Sequence, residues 1–345
     1  MGCSSSENLN VQKTDKKKIK LNTSGDVIFG IDLGDVYIAK FGLFINNGTL
    51  CDKWGCKINP KGTPDELLTE LKDQIFKKLA EKEININELI GIGIGVPGAV
   101  DSEGMVYPIK SLNWNTPFNL NEKFSKILDG IAVVSCNDAT AAALGEMWMG
   151  VAKGHRNLVE VTLGHGVGCG IIAQGNIIYG HNGASGEIGH CHINDDETEQ
   201  CYCGNYGCIE QYSSVPALIK NCRKKMTEGN LTTSLSNDSR LKASMIWEAA
   251  DDGDELADAV MKEFGNNVAK ALAIICNLFN NNIFVICGEM SNAGGILLKY
   301  IRENYKKYAF SEGKNAELLI GTLGEDAGIY GAAKLVLPDK KDKKV

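Results

Sequence analysis

The chain has 345 residues, 43% hydrophobic and 23% charged, with a net charge of −7, which is enough apolar content for a sizeable core in two domains or one domain of two halves. That balance argues against disorder and leaves no overall basic footprint for a polyanion, so nucleic acid is not an expected partner. Apolar runs such as "LIGIGIGV" fall short of the roughly 18 residues a spanning helix needs.

The first residues, "MGCSSS", fit an acylation signal: Gly2 for myristate, Ser6 at the favoured position and Cys3 for palmitate, with Lys13, Lys16, Lys17, Lys18 and Lys20 following. A second acyl chain or a basic cluster is what makes such an anchor hold, so this end implies peripheral membrane attachment. The same residues also read as a plain polar leader, and the two readings stay open. "VIFGIDLG", "YIAKFGLF" and "TLCDKWGC" read as three strands joined by short turns. Thr63, Pro64 and Glu66 then supply a cap, a first-turn proline and a capping-box glutamate for the helical run "ELLTELKDQIFKKLAEK". "LIGIGIGVPG" and "IAVVSCN" read as strands, and "ATAAALGEMWMG" as a helix, before which Asp138 reads first as an N-cap.

The second half starts over. "VTLGHGVGCGIIAQGNII" lies against "IDLGDVYIAKFGLFINNGTL" at an offset that puts Leu163 and Gly164 on Leu33 and Gly34. A cysteine-rich insertion follows, then helices over about 212–226 and 242–279, the strand "IFVICG", the helix "AGGILLKYIRENYKKY" and a last helix from Glu325 to Leu337. Strand, hairpin and helix are thus used twice, the sign of two related halves around a cleft.

Twelve cysteines in a long chain, several alone inside apolar strands, fit a reducing cytosol better than a disulfide framework. Four residues of the insertion, His190, Cys201, Cys203 and Cys208, make a full tetrahedral set for a structural Zn²⁺ with no open position. His181, Cys191 and His192 are nearby alternatives. Glu187 and Glu210 flank this set, so fixing the ligands would fix two carboxylates. Carboxylates that accept hydrogen bonds from vicinal hydroxyls are a common way to orient sugars.

"NDATAAALGE", "TLGHGVGCGII", "GASGEIGH" and "CYCGNYGCIEQYSS" resemble the blocks of the ROK family (repressor, open reading frame, kinase), over about Phe29 to Ala333. The resemblance implies an α/β class of protein: an actin-like, duplicated ribonuclease-H-type fold, two lobes around a central cleft where ATP and sugar meet. It divides the chain into a tail (1–25), an N-terminal lobe (26–137), a C-terminal lobe with the zinc-stapled insertion (138–325), and a helix packing back on the N-terminal lobe before a charged end (326–345). It implies Asp138 as catalytic base and Gly98, Asn113, Asn137, Asp138, Glu187, His190 and Glu210 as hexose contacts, His190 also binding zinc. It implies Asp32, Gly34, Gly164, His165, Gly166 and Gly288 on the side of ATP and Mg²⁺. No helix-turn-helix precedes the lobes, which points away from the repressor branch, and family members are often homo-oligomers.

The nucleotide side departs from the family pattern. The first loop, usually Asp-x-Gly-Gly-Thr, has Asp35 and Val36 at its last two positions; the second has His165 for threonine; the third has Glu289 for glycine. A carboxylate about 5 Å from a phosphate charge costs roughly 3 kcal/mol at an effective dielectric of about 20, unless a cation intervenes. Asp35 could hold Mg²⁺ while His165 donates to phosphate, or the two could pair and close the site. The expectation is a cytoplasmic hexose kinase acting on the 6-hydroxyl of glucose, with an N-acetylhexosamine kinase or fructokinase as variants. The alternative is a sugar-binding sensor of kinase descent.

Overall fold

The computed structural model describes residues 27–337; Gly2, Cys3 and the lysines after them lie outside the described residues. No described helix is long and apolar enough to cross a membrane.

The chain opens with β1 (Val27–Asp32), β2 (Ile38–Ile45) and β3 (Leu50–Lys57), an antiparallel meander. Helix α1 (Pro64–Lys82) starts where expected, with Thr63 and Glu66 forming the reciprocal capping box. β4 (Leu89–Val96) joins the sheet parallel to β1. A small ribbon of β5 (Met105–Val106) and β6 (Phe118–Asn119) leads into α2 (Leu120–Ile127) and then β7 (Val133–Asn137), parallel to β4. α3 (Asp138–Trp148) leaves directly from the end of β7.

The second unit repeats the plan: β8 (Leu158–Leu163) and β9 (Val167–Ala173) form the hairpin, and β10 (Asn176–Ile177) takes the edge. After the insertion come α4 (Glu210–Ser213), α5 (Val215–Glu228), α6 (Ala243–Asp251) and α7 (Glu255–Phe279). The run expected as one helix over 242–279 is broken at Gly253, in the left-handed region, with Asp254 capping α7. β11 (Ile283–Cys287), α8 (Gly295–Tyr308), β12 (Glu317–Ile320) and α9 (Ala327–Leu335) complete the described chain. Strand order is β3-β2-β1-β4-β7 in the first sheet and β10-β9-β8-β11-β12 in the second, so the two match position by position.

Each unit has its own core, one around Phe29, Phe41, Leu71 and Phe124, the other around Phe264, Phe284, Tyr300 and Tyr305. Two helices cross between them. α3, which grows out of the first sheet, packs on β8 and β9 of the second; α9, which follows the second sheet, packs back on β1 and β4 of the first; and the two pack on each other. These contacts are backbone on backbone: a Cβ at Gly331 of α9 would overlap the Ala141 carbonyl of α3, and one at Gly93 of β4 the Ala332 carbonyl of α9. Buried Glu146 on α3 ties down the turn before α9, its Oε1 accepting the Leu323 N–H at 2.9 Å and its Oε2 the Val151 N–H at 2.9 Å. Because neither backbone has space to retreat, Gly93→Val is expected to cost about 3 kcal/mol or more in stability, measured by denaturant unfolding.

Candidate functional site

A cleft of about 510 Å³ lies at the carboxyl ends of the parallel strands and the starts of α3 and α9. Asp138 is on its floor, at the first position of α3. The cap of α3 is the preceding residue: Asn137 Oδ1 accepts the Thr140 N–H at 3.1 Å. The reading of Asp138 as an N-cap is therefore corrected by one residue, since the strand runs through Asn137 and only Asn137 has the extended backbone a cap needs. Asn137 also aims Asp138, its Nδ2 donating to Asp138 Oδ1 at 2.9 Å and to the Gly98 carbonyl at 3.2 Å. Asp138 Oδ1 takes the Ala139 N–H as well, at 3.0 Å. Among the described residues Oδ2 accepts no such hydrogen bond; it faces Gly34, where a Cβ would lie 2.8 Å from it and 3.1 Å from Asp32 Oδ1.

Asp32, held through Oδ1 by the Gly34 N–H at 2.8 Å, is thus a close neighbour of Asp138. Burial, then the charge of Asp32, pushes Asp138 up to about 7. Burial also raises Asp32. A carboxylate with one oxygen pinned, the other open and its proton affinity near neutrality suits a general base.

On one side of Asp138 the cleft is walled by Gly98, Glu187, His190, Tyr202 and Glu210. The ligand atoms of His190, Cys201, Cys203 and Cys208 all lie within 4.8 Å of one another. Cys203 Sγ is 3.7 Å from Cys208 Sγ, and Cys201 Sγ is 3.8 Å from His190 Nδ1. A tetrahedral ion with ligands at about 2.3 Å places them about 3.8 Å apart, so the donor set fits a metal of the zinc class. The alternatives fall away: His192 gives Nδ1 to the Tyr206 carbonyl and Nε2 to Asp195, and neither His181 nor Cys191 joins the cluster. With Nδ1 of His190 turned to the thiols, Nε2 faces the cleft, 3.1 Å from Tyr202 Oη and 3.9 Å from Glu187. Glu210 Oε2 accepts the Val167 N–H at 2.9 Å, which couples the cysteine block to the loop of His165.

Asp32, Gly34, Asp35, Gly164, His165, Gly166 and Gly288 line the other side. Asp35 Oδ1 accepts the Tyr37 N–H at 2.9 Å, and among the described residues no hydrogen bond or ion pair joins Asp35 to His165. Gly288 has φ 80 and its Cβ position is 2.6 Å from the Leu163 carbonyl, so only glycine fits there. Glu289 is exposed and outside the lining.

Asn113 is not brought to the cleft: it is exposed, at the left-handed end of a 3₁₀ turn, with Nδ2 donating to the Lys61 carbonyl at 3.2 Å. Lys40 and Tyr202 line the cleft and were not foreseen. Lys40 is paired in register with Asp32 across β1 and β2 and reaches Glu325 at 3.4 Å; a lone lysine inside an apolar strand was its signal. Outside the lining, behind Thr162, Glu160 is fully buried, accepts from Thr162 Oγ1 at 2.7 Å and is pushed up to about 8, first by burial.

A duplicated α/β fold with a half-buried aspartate between an acidic wall and glycine loops defines a class, and the family follows from it. The ROK family model matches residues 28–339, and the chain belongs to the ROK family. It is 35% identical to a glucokinase of Halalkalibacterium halodurans over 89% of this chain and 94% of the relative. It is 30% identical to a xylose repressor of Caldicellulosiruptor bescii over 95% and 82%. Among solved structures, a ROK glucokinase of Streptomyces griseus in complex with glucose and AMPPNP aligns with TM-score 0.71 and 28% identity, covering 90% of this chain and 98% of that one. The fold is the actin-like one that the motifs imply.

A carboxyl whose native proton affinity is raised destabilises the fold as pH climbs from its ordinary range through about 7, because the native state holds the proton more tightly than the unfolded chain. Asp138→Asn is therefore expected to melt at a higher temperature than the wild type above pH 7 and to lose that advantage near pH 4, read by calorimetry.

Proposed function

We propose that the protein is an ATP-dependent hexose kinase of the cytoplasm, with glucose as the preferred acceptor and its 6-hydroxyl as the nucleophile. The observation that carries this reading is Asp138, with one oxygen fixed by Asn137 and Ala139 and the other open to the same cleft as Glu187 and Glu210. The named activity of relatives such as the Halalkalibacterium glucokinase supports it.

In this mechanism Glu187, His190 and Glu210 accept or donate to the sugar hydroxyls and set the ring so that the 6-hydroxyl meets Asp138 Oδ2. Asp138 takes its proton as the oxygen attacks the terminal phosphorus of ATP, the bond from that phosphorus to the bridging oxygen breaks and ADP leaves, and the rest of catalysis is positioning. Hard oxygen donors at Asp32 and Asp35 fit Mg²⁺, which, when bound with the nucleotide, offsets charge on the transferring phosphoryl group. His190, Cys201, Cys203 and Cys208 would hold Zn²⁺, which would have a structural role, locking the segment that carries Glu187 and Glu210.

The exposed Asp35, in the position of the family's glycine, favours a second reading, a hexose-binding sensor with weak nucleotide affinity. A coupled assay with ATP, Mg²⁺ and a panel of hexoses separates the two. Turnover is expected, with kcat/KM falling tenfold per unit as pH drops below about 7 and with Asp138→Asn lowering kcat by about 10² to 10⁴ while hexose binding survives. Hexose-dependent thermal stabilisation without turnover would instead establish the sensor. Mass spectrometry for metals on the purified chain should find about one zinc per molecule, and chelation should both weaken hexose binding and lower the melting temperature.

A further inference from the structure

Tyr202 stands between two of the cluster cysteines, Cys201 and Cys203, and 76% of it is exposed. An aromatic ring in that state has no packing role in either core. It is nonetheless held. The Cys201 N–H donates to the Asn205 carbonyl at 2.8 Å and the Gly204 N–H to the Cys201 carbonyl at 2.8 Å, closing a tight turn around it. Its ring lies edge to face with that of His190, centroids 5.2 Å apart, and its hydroxyl is 3.1 Å from His190 Nε2. Tyr206, on the same turn and also exposed, is not part of the cleft wall.

With Nδ1 given to the thiols, Nε2 carries the hydrogen and donates to Tyr202 Oη. That bond occupies the one polar atom of His190 that an incoming hydroxyl could use. A pyranose also has a face of C–H groups, which gains by leaving water for an aromatic surface.

We propose that Tyr202 is a recognition residue for the hexose: its hydroxyl holds His190 Nε2 until a sugar hydroxyl takes that place, and its ring then covers the apolar face of the bound pyranose. The inference rests on reading this side of the cleft as the hexose subsite, and it commits the neighbourhood of the cysteine cluster to direct contact with substrate.

The test is calorimetric titration of the full chain with glucose, comparing wild type with Tyr202→Ala, Tyr202→Phe and Tyr206→Ala, each checked for metal content. Tyr202→Ala should bind glucose about fivefold more weakly or worse, Tyr202→Phe about two- to fivefold more tightly because the competing hydroxyl is gone, and Tyr206→Ala as the wild type does. Glucose binding that is the same in all four proteins overturns the inference and leaves the hexose reading standing. If Tyr202→Ala loses its metal, Tyr202→Phe decides alone, and unchanged affinity there counts against the proposal. Absence of any hexose binding by the wild type removes the hexose reading itself, and the inference with it.

Discussion

The crossing of α3 and α9 is the constraint on which the rest of the structure depends. Each helix originates in one unit and packs on the sheet of the other, and glycine at Gly331 lets their backbones touch. Side chains at that contact would push the units apart, and the cleft would lose its floor. The same crossing sets the electrostatics. Asp138 sits at the first turn of α3, and Gly328 at the start of α9 closes on Asp32, its Cβ position 2.5 Å from Asp32 Oδ2. Helix N-termini favour negative charge by about 0.3–1 kcal/mol each, up to about 2 when partly buried. That is too little to offset two neighbouring desolvated carboxylates, which is why the proton affinity of both is raised. The strain on that pair is the source of a base poised near neutrality.

The acceptor side is stiffened by a different device. Between Glu187 and Glu210 the chain has little regular structure, and its polar side chains alone would not hold two carboxylates in register. On the proposed reading a metal held by the four ligands would supply that rigidity, and Glu210 would pass it on by accepting the Val167 N–H. The wall opposite the base is thus mechanically joined to the second glycine loop. A shift in the cysteine block would be felt in both subsites, a coupling that follows from one hydrogen bond and not from distance.

Much of this was legible in the sequence, and the reasons differ by element. The capping box at Thr63 and Glu66 is local chemistry and appears as expected. The repeat of Leu33-Gly34 at Leu163-Gly164 gave the duplication, because the same dipeptide makes the turn between two largely buried strands in each half. The cysteine spacing gave the cluster. What escaped was short or non-local. β5, β6 and β12 have from two to four residues, too few for a period to emerge, and α2 was hidden by the loop before it. Asp138 was misread as a cap because the strand end and the cap coincide on Asn137. Asn113 was carried by motif alone, and its turn directs the amide to Lys61 instead. Lys40 and Tyr202 could be assigned to the cleft only once two distant segments were in place.

The charge of the cleft bears on how the altered loops should be understood. Among the described residues six that line it carry carboxylates, Asp32, Asp35, Asp138, Glu187, Glu210 and Glu325, against Lys40 as the single lysine or arginine. Lys40 is already near Glu325 and opposite Asp32. A bare triphosphate entering such a space meets net repulsion at short range, where screening by salt is weak. The complex of the nucleotide with its cation has less negative charge to place and brings a partner for the Asp32 and Asp35 oxygens. On the proposed reading, then, Asp35 shifts the nucleotide subsite from binding phosphate through backbone and hydroxyl donors toward binding it through the metal. On the same reading, loss of the family's second glycine and threonine changes which groups would hold the nucleotide, while the proposed base and acceptor wall stay in place.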